Sequence, residues 1–260
     1  MKTLIVIPAR LASTRLPRKL LLSATGKTLL EHTYCAAQTS QLADEVIVAA
    51  DDQEIVDAVT AFGGKVEMTA ATHQSGTDRA AEVSARHPQY DIVVNVQGDE
   101  PEIPGEAIDM AIRMLIDDSA AVVATLASPI SSKELLEDPA CVKVVMDDRQ
   151  RALYFSRSPI PCAKVWSDDL LEADPPVFYQ HIGLYAYRRE FLAQYSALKR
   201  SPLEEIESLE QLRILQAGET ISVGLIGHPV VWALIPQKTT NCLSVGSRTA
   251  KISVRQVAAI

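Results

Sequence analysis

Four cations fall within ten positions of the segment IPARLASTRLPRKL: Arg10, Arg15, Arg18 and Lys19. Guanidinium and ammonium groups this close repel one another unless an anion or carboxylates join them, and a polyphosphate suits such a set; a solvated basic turn is the bland alternative. The segment His73, Gln74, Ser75, Gly76, Thr77, Asp78, Arg79 opens a helical pattern. Ser75 or Thr77 can cap its free N–H groups, and Gly76 lets backbone approach a ligand, so amides and side-chain donors could read a base edge or a ribose there. A third segment, VNVQGDEP, sets Asp99 and Glu100 behind a glycine at the tip of an apolar run. A carboxylate there is placed to hold a hard cation bridging phosphates, and Mg²⁺ takes only one or two carboxylates when phosphate and water complete its shell.

Two later segments carry groups suited to an acidic sugar. YFSRSPIP places Arg157 after one apolar run, and QHIGLYAY places His181 before another. An arginine grips a carboxylate bidentately, whereas a lone histidine is more often structural. In PLEEIESLEQLR, Glu204, Glu207 and Gln211 share roughly one helical face, a stripe that spacing alone reads as solvated.

The elements that must position these groups alternate. Strands are expected at 3–7, ending at Pro8, then at 46–50, 65–68, 91–96 and 120–126, with helices near 29–37 and at 53–62, 77–86 and 106–117 between them. This predicts an α/β fold with a doubly wound, mostly parallel sheet, in which ligands bind beyond the C-terminal strand ends. From about residue 128 the rhythm breaks into shorter strands and a proline-rich stretch, then resumes with a strand at 182–187, a helix at 203–216 and a strand at 221–225. The economical division is a single domain over 1–230, with a smaller lobe inserted at about 128–187. The 25 basic and 33 acidic side chains among 260 residues give a net charge of −8, a poor footprint for a nucleic-acid polymer. No apolar stretch is long enough to span a bilayer and the start does not read as a secretory leader, so a cytoplasmic location is expected. Cys35, Cys141, Cys162 and Cys242 lack metal-ligand spacing. No GxGxxG or GxxxxGK[ST] is present, which argues against a dinucleotide oxidoreductase or a P-loop enzyme.

Taken together and in this order, the segments IPARLASTRLPRK, HQSGTDR, VNVQGDEP, VKVV, ALYFSRSPIP, HIGLYAYR and SPLEEIESLEQLR resemble the 3-deoxy-manno-octulosonate cytidylyltransferases, or CMP-Kdo synthetases, of the nucleotide-diphospho-sugar transferase fold. The resemblance covers roughly residues 2–230. It implies transfer of CMP from CTP to 3-deoxy-manno-octulosonate (Kdo) with release of pyrophosphate, for lipopolysaccharide synthesis. Arg10, Arg15 and Lys19 would hold the triphosphate; Gln74, Ser75 and Arg79 would lie about the cytidine nucleotide; Asp99 would bind Mg²⁺. Gln97, Arg157, His181, Tyr185, Glu204, Glu207 and Gln211 would form the sugar pocket, with Arg157 facing the carboxylate. It also implies a homodimer meeting through the inserted lobe. A related 2-keto sugar acid as acceptor, or a nucleotide-binding protein without turnover, are the competing readings.

One stretch departs from that pattern. The family closes with a GVDTPEDL-like segment whose aspartate is a second Mg²⁺ ligand, but here no acidic residue occurs from Trp232 to Ile260. The peptide WALIPQKTT can be encoded by TGG GCA TTG ATA CCC CAG AAG ACT ACN, which read two nucleotides later gives GIDTPEDY. The expectation is a shift of frame near codon 231 that makes 231–260 an atypical tail.

Overall fold

The computed structural model describes residues 1–12, 18–23 and 25–227. Arg15 and the atypical tail lie outside the described residues.

In chain order the elements are β1 (Thr3–Ala9), α1 (Leu29–Ala37), β2 (Glu45–Ala50), α2 (Gln53–Ala61), β3 (Val66–Met68), α3 (Gly76–Arg86), β4 (Ile92–Asn95), α4 (Gly105–Asp117) and β5 (Ala121–Pro129). They continue with α5 (Lys133–Glu137), β6 (Lys143–Met146), β7 (Ala152–Ser156), β8 (Tyr179–Arg188), α6 (Arg189–Tyr195), α7 (Pro202–Glu207), α8 (Gln211–Gln216) and β9 (Thr220–Leu225). One sheet runs β3-β2-β1-β4-β8-β5-β9, and the β6–β7 hairpin joins it through the pairing of Lys143 with Gln180. All neighbours on the path are parallel except β8, which is antiparallel to both β4 and β5. The fold is α/β with a mixed, mostly parallel sheet.

The pleat of β1 explains its wholly apolar sequence. Ile5 and Ile7 face one core with Leu30, Ile55 and Ile108 of α1, α2 and α4, while Leu4 and Val6 face the other with Ala80, Leu192 and Leu212 of α3, α6 and α8. Pro8 does not end the strand as expected. The ladder with β4 stops at Val6 paired with Asn95, so the proline's missing donor costs nothing on that side, while the ladder with β2 continues to Ala9. Helix starts are fixed by side chains: Thr28, Asp52, Ser75 and Ser132 each accept a backbone N–H, and Ser201 forms a reciprocal capping box with Glu204.

Three expectations about the late elements are corrected. The helix at 203–216 is two helices broken at Ser208, whose φ is 52°. The Arg157 guanidinium explains the break, since its Nε donates to the Glu207 carbonyl at 2.6 Å and its Nη2 to the Ser208 carbonyl at 3.3 Å. The break buries Leu209 and Leu212 and leaves Ile206 81% exposed. Strand β8 also starts three residues earlier than expected, at Tyr179, so His181 sits within it rather than in a preceding loop. Glu204 is not part of a solvated stripe. It is buried and accepts from Arg213 Nε at 2.8 Å, while the Arg213 guanidinium lies 4.9 Å from the Tyr195 ring centroid.

Removing Arg213 leaves that carboxylate buried and uncompensated. Arg213→Met is expected to lower unfolding free energy by about 3 kcal/mol, read as the shift of the urea midpoint, with Glu204→Met/Arg213→Met recovering most of the loss.

Candidate active site

Strands β1 and β4 run parallel, so their C-terminal ends deliver two loops to one rim, and the segment before α3 arrives beside them. An open cleft there is lined by Pro8, Arg10, Ala12, Lys19, Leu20, Gln74, Ser75, Gly76, Gln97, Gly98, Asp99 and Glu210. Six of the residues singled out in the sequence are therefore brought together: Arg10, Lys19, Gln74, Ser75, Gln97 and Asp99. Two glycines permit the closeness. A Cβ on Gly98 would stand 3.0 Å from the Pro8 carbonyl oxygen, and one on Gly76 3.3 Å from the Pro8 ring, so both segments pack directly against the end of β1. Thr33 of α1 donates to the Gly98 carbonyl at 2.9 Å and holds this turn from behind.

The cleft brings together charged groups of both signs. Lys19 Nζ stands 3.1 Å from Asp99 Oδ2, a partly exposed pair, and Arg10 Nη2 is buried with no hydrogen-bond partner. Burial and the neighbouring Asp99 carboxylate push Glu100 up to about 7. Among the described residues no group of three or more His, Cys, Asp or Glu side chains is arranged as a metal cage. Asp99 still fits Mg²⁺ in its usual protein setting, because its carboxylate is 45% exposed beside the basic groups.

The other site residues occupy different positions. Arg79 is fully buried under the 69–75 loop, donating to Thr69 Oγ1 and to the Ala70 carbonyl. Arg157 spends three donors on the carbonyls of Pro139, Glu207 and Ser208, and its own carbonyl accepts from the buried Lys143 Nζ at 2.6 Å. Glu207 accepts from Ser156 Oγ and the Arg157 N–H, and Glu204 is committed to Arg213. Gln211 is buried with its Nε2 unpartnered, and Tyr185 lies opposite Asn95, whose Oδ1 is also buried and unpartnered. His181 Nε2 is 2.9 Å from Thr125 Oγ1, and its ring meets Phe155 edge-on.

Sequence reasoning missed Glu210, which lines the cleft and accepts from Thr77 Oγ1 and Tyr195 OH, each at 3.3 Å. No spacing rule marks it, because its position depends on the break at Ser208. It also missed Asp51, which accepts the Leu11 N–H at 2.9 Å. The signal existed: Asp51 follows the end of an apolar strand, as Asp99 does.

Comparison with known proteins bears on the family and the fold. A model of the cytidylyltransferase family matches residues 4–221. A 3-deoxy-manno-octulosonate cytidylyltransferase of Rhodopirellula baltica is 52% identical over 224 residues, covering 86% of this chain and 90% of that protein. One of Geobacter metallireducens is 49% identical over 227 residues, covering 86% and 89%. A solved structure of CMP:2-keto-3-deoxy-manno-octonic acid synthetase complexed with CTP has a TM-score of 0.81 and 44% identity, covering 88% of this chain and 91% of that one.

Burial pushes His181 down to about 3, so its imidazole is neutral through the physiological range. Its ring-proton NMR shifts are expected to stay constant from pH 8 to pH 5. The unfolded chain binds the proton near the ordinary 6.5, so this histidine withdraws stability as pH falls below that value and withdraws none above it.

Proposed function

The chain belongs to the cytidylyltransferase family, within its 3-deoxy-manno-octulosonate branch, and we propose that it transfers CMP from CTP to the 2-hydroxyl of Kdo, releasing pyrophosphate. The observation that carries this reading is the convergence of Arg10, Lys19, Gln74, Ser75, Gln97 and Asp99 on one cleft at the C-terminal rim of β1 and β4. The product would enter lipopolysaccharide synthesis in the cytoplasm. Among the described residues no helix is long and apolar enough to cross a membrane. A homodimer formed through the segment 128–187, whose last strand, β8, lies within the central sheet of the 1–230 domain, completes the reading.

Attack of a sugar hydroxyl on the α-phosphorus asks little covalent chemistry of the protein; it asks for alignment and for neutralisation of the charge that builds on the departing pyrophosphate. Arg10 offers a buried, unpartnered N–H, and Lys19 an ammonium already at the rim. With CTP bound, Lys19 would exchange part of its pairing with Asp99 for phosphate oxygens, and Asp99 would be free to hold Mg²⁺. Bound there, Mg²⁺ supplies further charge neutralisation at the phosphates. Arg15, from the same basic loop, adds a third cation. Gln74 and Ser75 face the nucleoside, with Arg79 beneath them.

For the acceptor, Gln97 lies at the rim, Gln211 supplies a buried amide and Tyr185 a half-buried phenol. A guanidinium has five N–H groups, so the three that Arg157 gives to carbonyls leave two for the sugar carboxylate. Glu204 and Glu207 serve that pocket by fixing Arg213 and Arg157. His181, held neutral, offers a hydrogen bond rather than a charge.

Pyrophosphate release from CTP and Kdo with Mg²⁺ tests the function, on this 260-residue chain beside one whose tail follows the alternative frame. Turnover is expected in the restored chain and is expected to fall at least about hundredfold in the present one, because the missing carboxylate acts in the transition state. Equal turnover would show that Asp99 suffices, whereas no turnover in either would direct the search to other sugar acids or to nucleotide binding alone. In the restored chain, Asp99→Asn should lower kcat about hundredfold while changing metal-free CTP affinity far less.

A further inference from the structure

Beneath the cleft runs a chain of charged groups that the reaction itself does not use. Arg79 has no exposed surface, yet its Nε and Nη2 lack hydrogen-bond partners, and its Nη1 donates to Thr69 Oγ1 and, at 3.4 Å, to the Ala70 carbonyl. Glu82, three positions later on the same face of α3, accepts the Ala70 N–H at 2.9 Å and meets His73 Nε2 at 2.5 Å with the same oxygen. Both polar groups of Ala70 are thus held by α3, as is the His73 ring that immediately precedes Gln74 and Ser75. On its other side Arg79 faces Asp51, with Nη2 3.6 Å from Oδ2, and Asp51 Oδ1 accepts the N–H of Leu11, the neighbour of Arg10. The two loops that line the cleft, one carrying Arg10 and the other Gln74 and Ser75, therefore meet through Asp51, Arg79 and Glu82.

We propose that Asp51, Arg79 and Glu82 are positioning residues that set the spacing between the triphosphate-holding loop and the nucleoside-facing loop, Arg79 acting through Thr69 and Ala70 rather than by touching the nucleotide. The proposal rests on the CTP reading above. It explains why a guanidinium is kept in a place where its desolvation is not fully repaid by hydrogen bonds: a charged, multidentate group can hold two loops at once, which an apolar side chain cannot. Burial lowers the Arg79 pKa, as does the nearby Arg10 guanidinium, while Asp51 and Glu82 oppose both. Its counter-charges are thus the two carboxylates that anchor the loops.

The sign of one substitution separates positioning from simple electrostatics. Removing a carboxylate close to a cleft that binds a polyanion strengthens binding by charge alone. A weakening therefore reports lost placement. Glu82→Gln in the full chain is titrated calorimetrically with CTP and, separately, with inorganic triphosphate, and its thermal midpoint is compared with that of the unsubstituted chain. The expected result is a Kd for CTP raised about tenfold, as the bonds to Ala70 and His73 lose their charge assistance, with triphosphate bound at least as tightly as before and the midpoint within a few degrees. A CTP Kd within threefold of the original or lower, or equal weakening toward both ligands, overturns the proposal. Should Glu82→Gln fail to fold, the isosteric Asp51→Asn, which keeps an oxygen for the Leu11 N–H, is read for CTP by the same criterion. An unsubstituted chain that binds no CTP removes the functional reading and this proposal with it, a result distinct from a variant that binds as well as its parent.

Discussion

The ladder of β1 constrains everything that binds at this rim. Leu4, Ile5, Val6 and Ile7 are fully buried, and parallel strands occupy both edges of the strand. Its backbone groups are satisfied only while those neighbours last, so once the β2 ladder also ends, at Ala9, the chain leaves the sheet. Since β2 and β4 run in the same direction as β1, their C-terminal ends open on the same side. Asp51 meets Leu11 and Asp99 meets Lys19 for that reason, although each pair is distant in sequence. A site assembled from the ends of several strands follows from parallel pairing.

This constraint also governs what the sequence revealed. The apolar runs and helix patterns of the first half are each controlled by short-range burial, and the structure places them within a few residues of expectation. Arg10, Lys19, Gln97 and Asp99 were legible for the same reason, lying just beyond runs that read as buried strands. The second half was less legible because its elements are shaped by long-range hydrogen bonds. The break at Ser208 depends on Arg157, fifty residues away in the chain, and the depth of Glu204 depends on Arg213. A periodicity argument sees four apolar residues at helical spacing and continues the helix; it cannot see a guanidinium arriving from another strand end to take two carbonyls. Glu210 entered the cleft by that break, so spacing could not have found it.

Charge is divided between groups that stand at the cleft and groups that hold the surrounding frame in place. Lys19 and Arg10 stand at the cleft with incomplete pairing, whereas Lys143, buried among three backbone carbonyls, and Arg213, against Glu204 and Tyr195, are fully engaged. The two classes are indistinguishable in composition. They differ in whether the protein supplies all of their partners. A cation whose hydrogen bonds are all internal can fix geometry but has nothing left to offer an anion, and a cation at the cleft can bind an anion only if something else fixes its geometry.

Arg157 belongs to both classes. It pins the α7–α8 break through two carbonyls and reaches a third at Pro139, its own carbonyl is pinned by Lys143, and its N–H is held by Glu207. On the proposed function, a guanidinium plane held at so many points has little rotational freedom to lose when a carboxylate arrives at its two remaining N–H groups, which would lower the entropic cost of recognition. The same contacts tie the plane of Arg157 to the start of α8, where Glu210 and Gln211 lie. A ligand that engages Arg157 therefore acts on a frame shared with the cleft wall, which is how two substrates can be aligned by one rigid edge rather than by two independent loops.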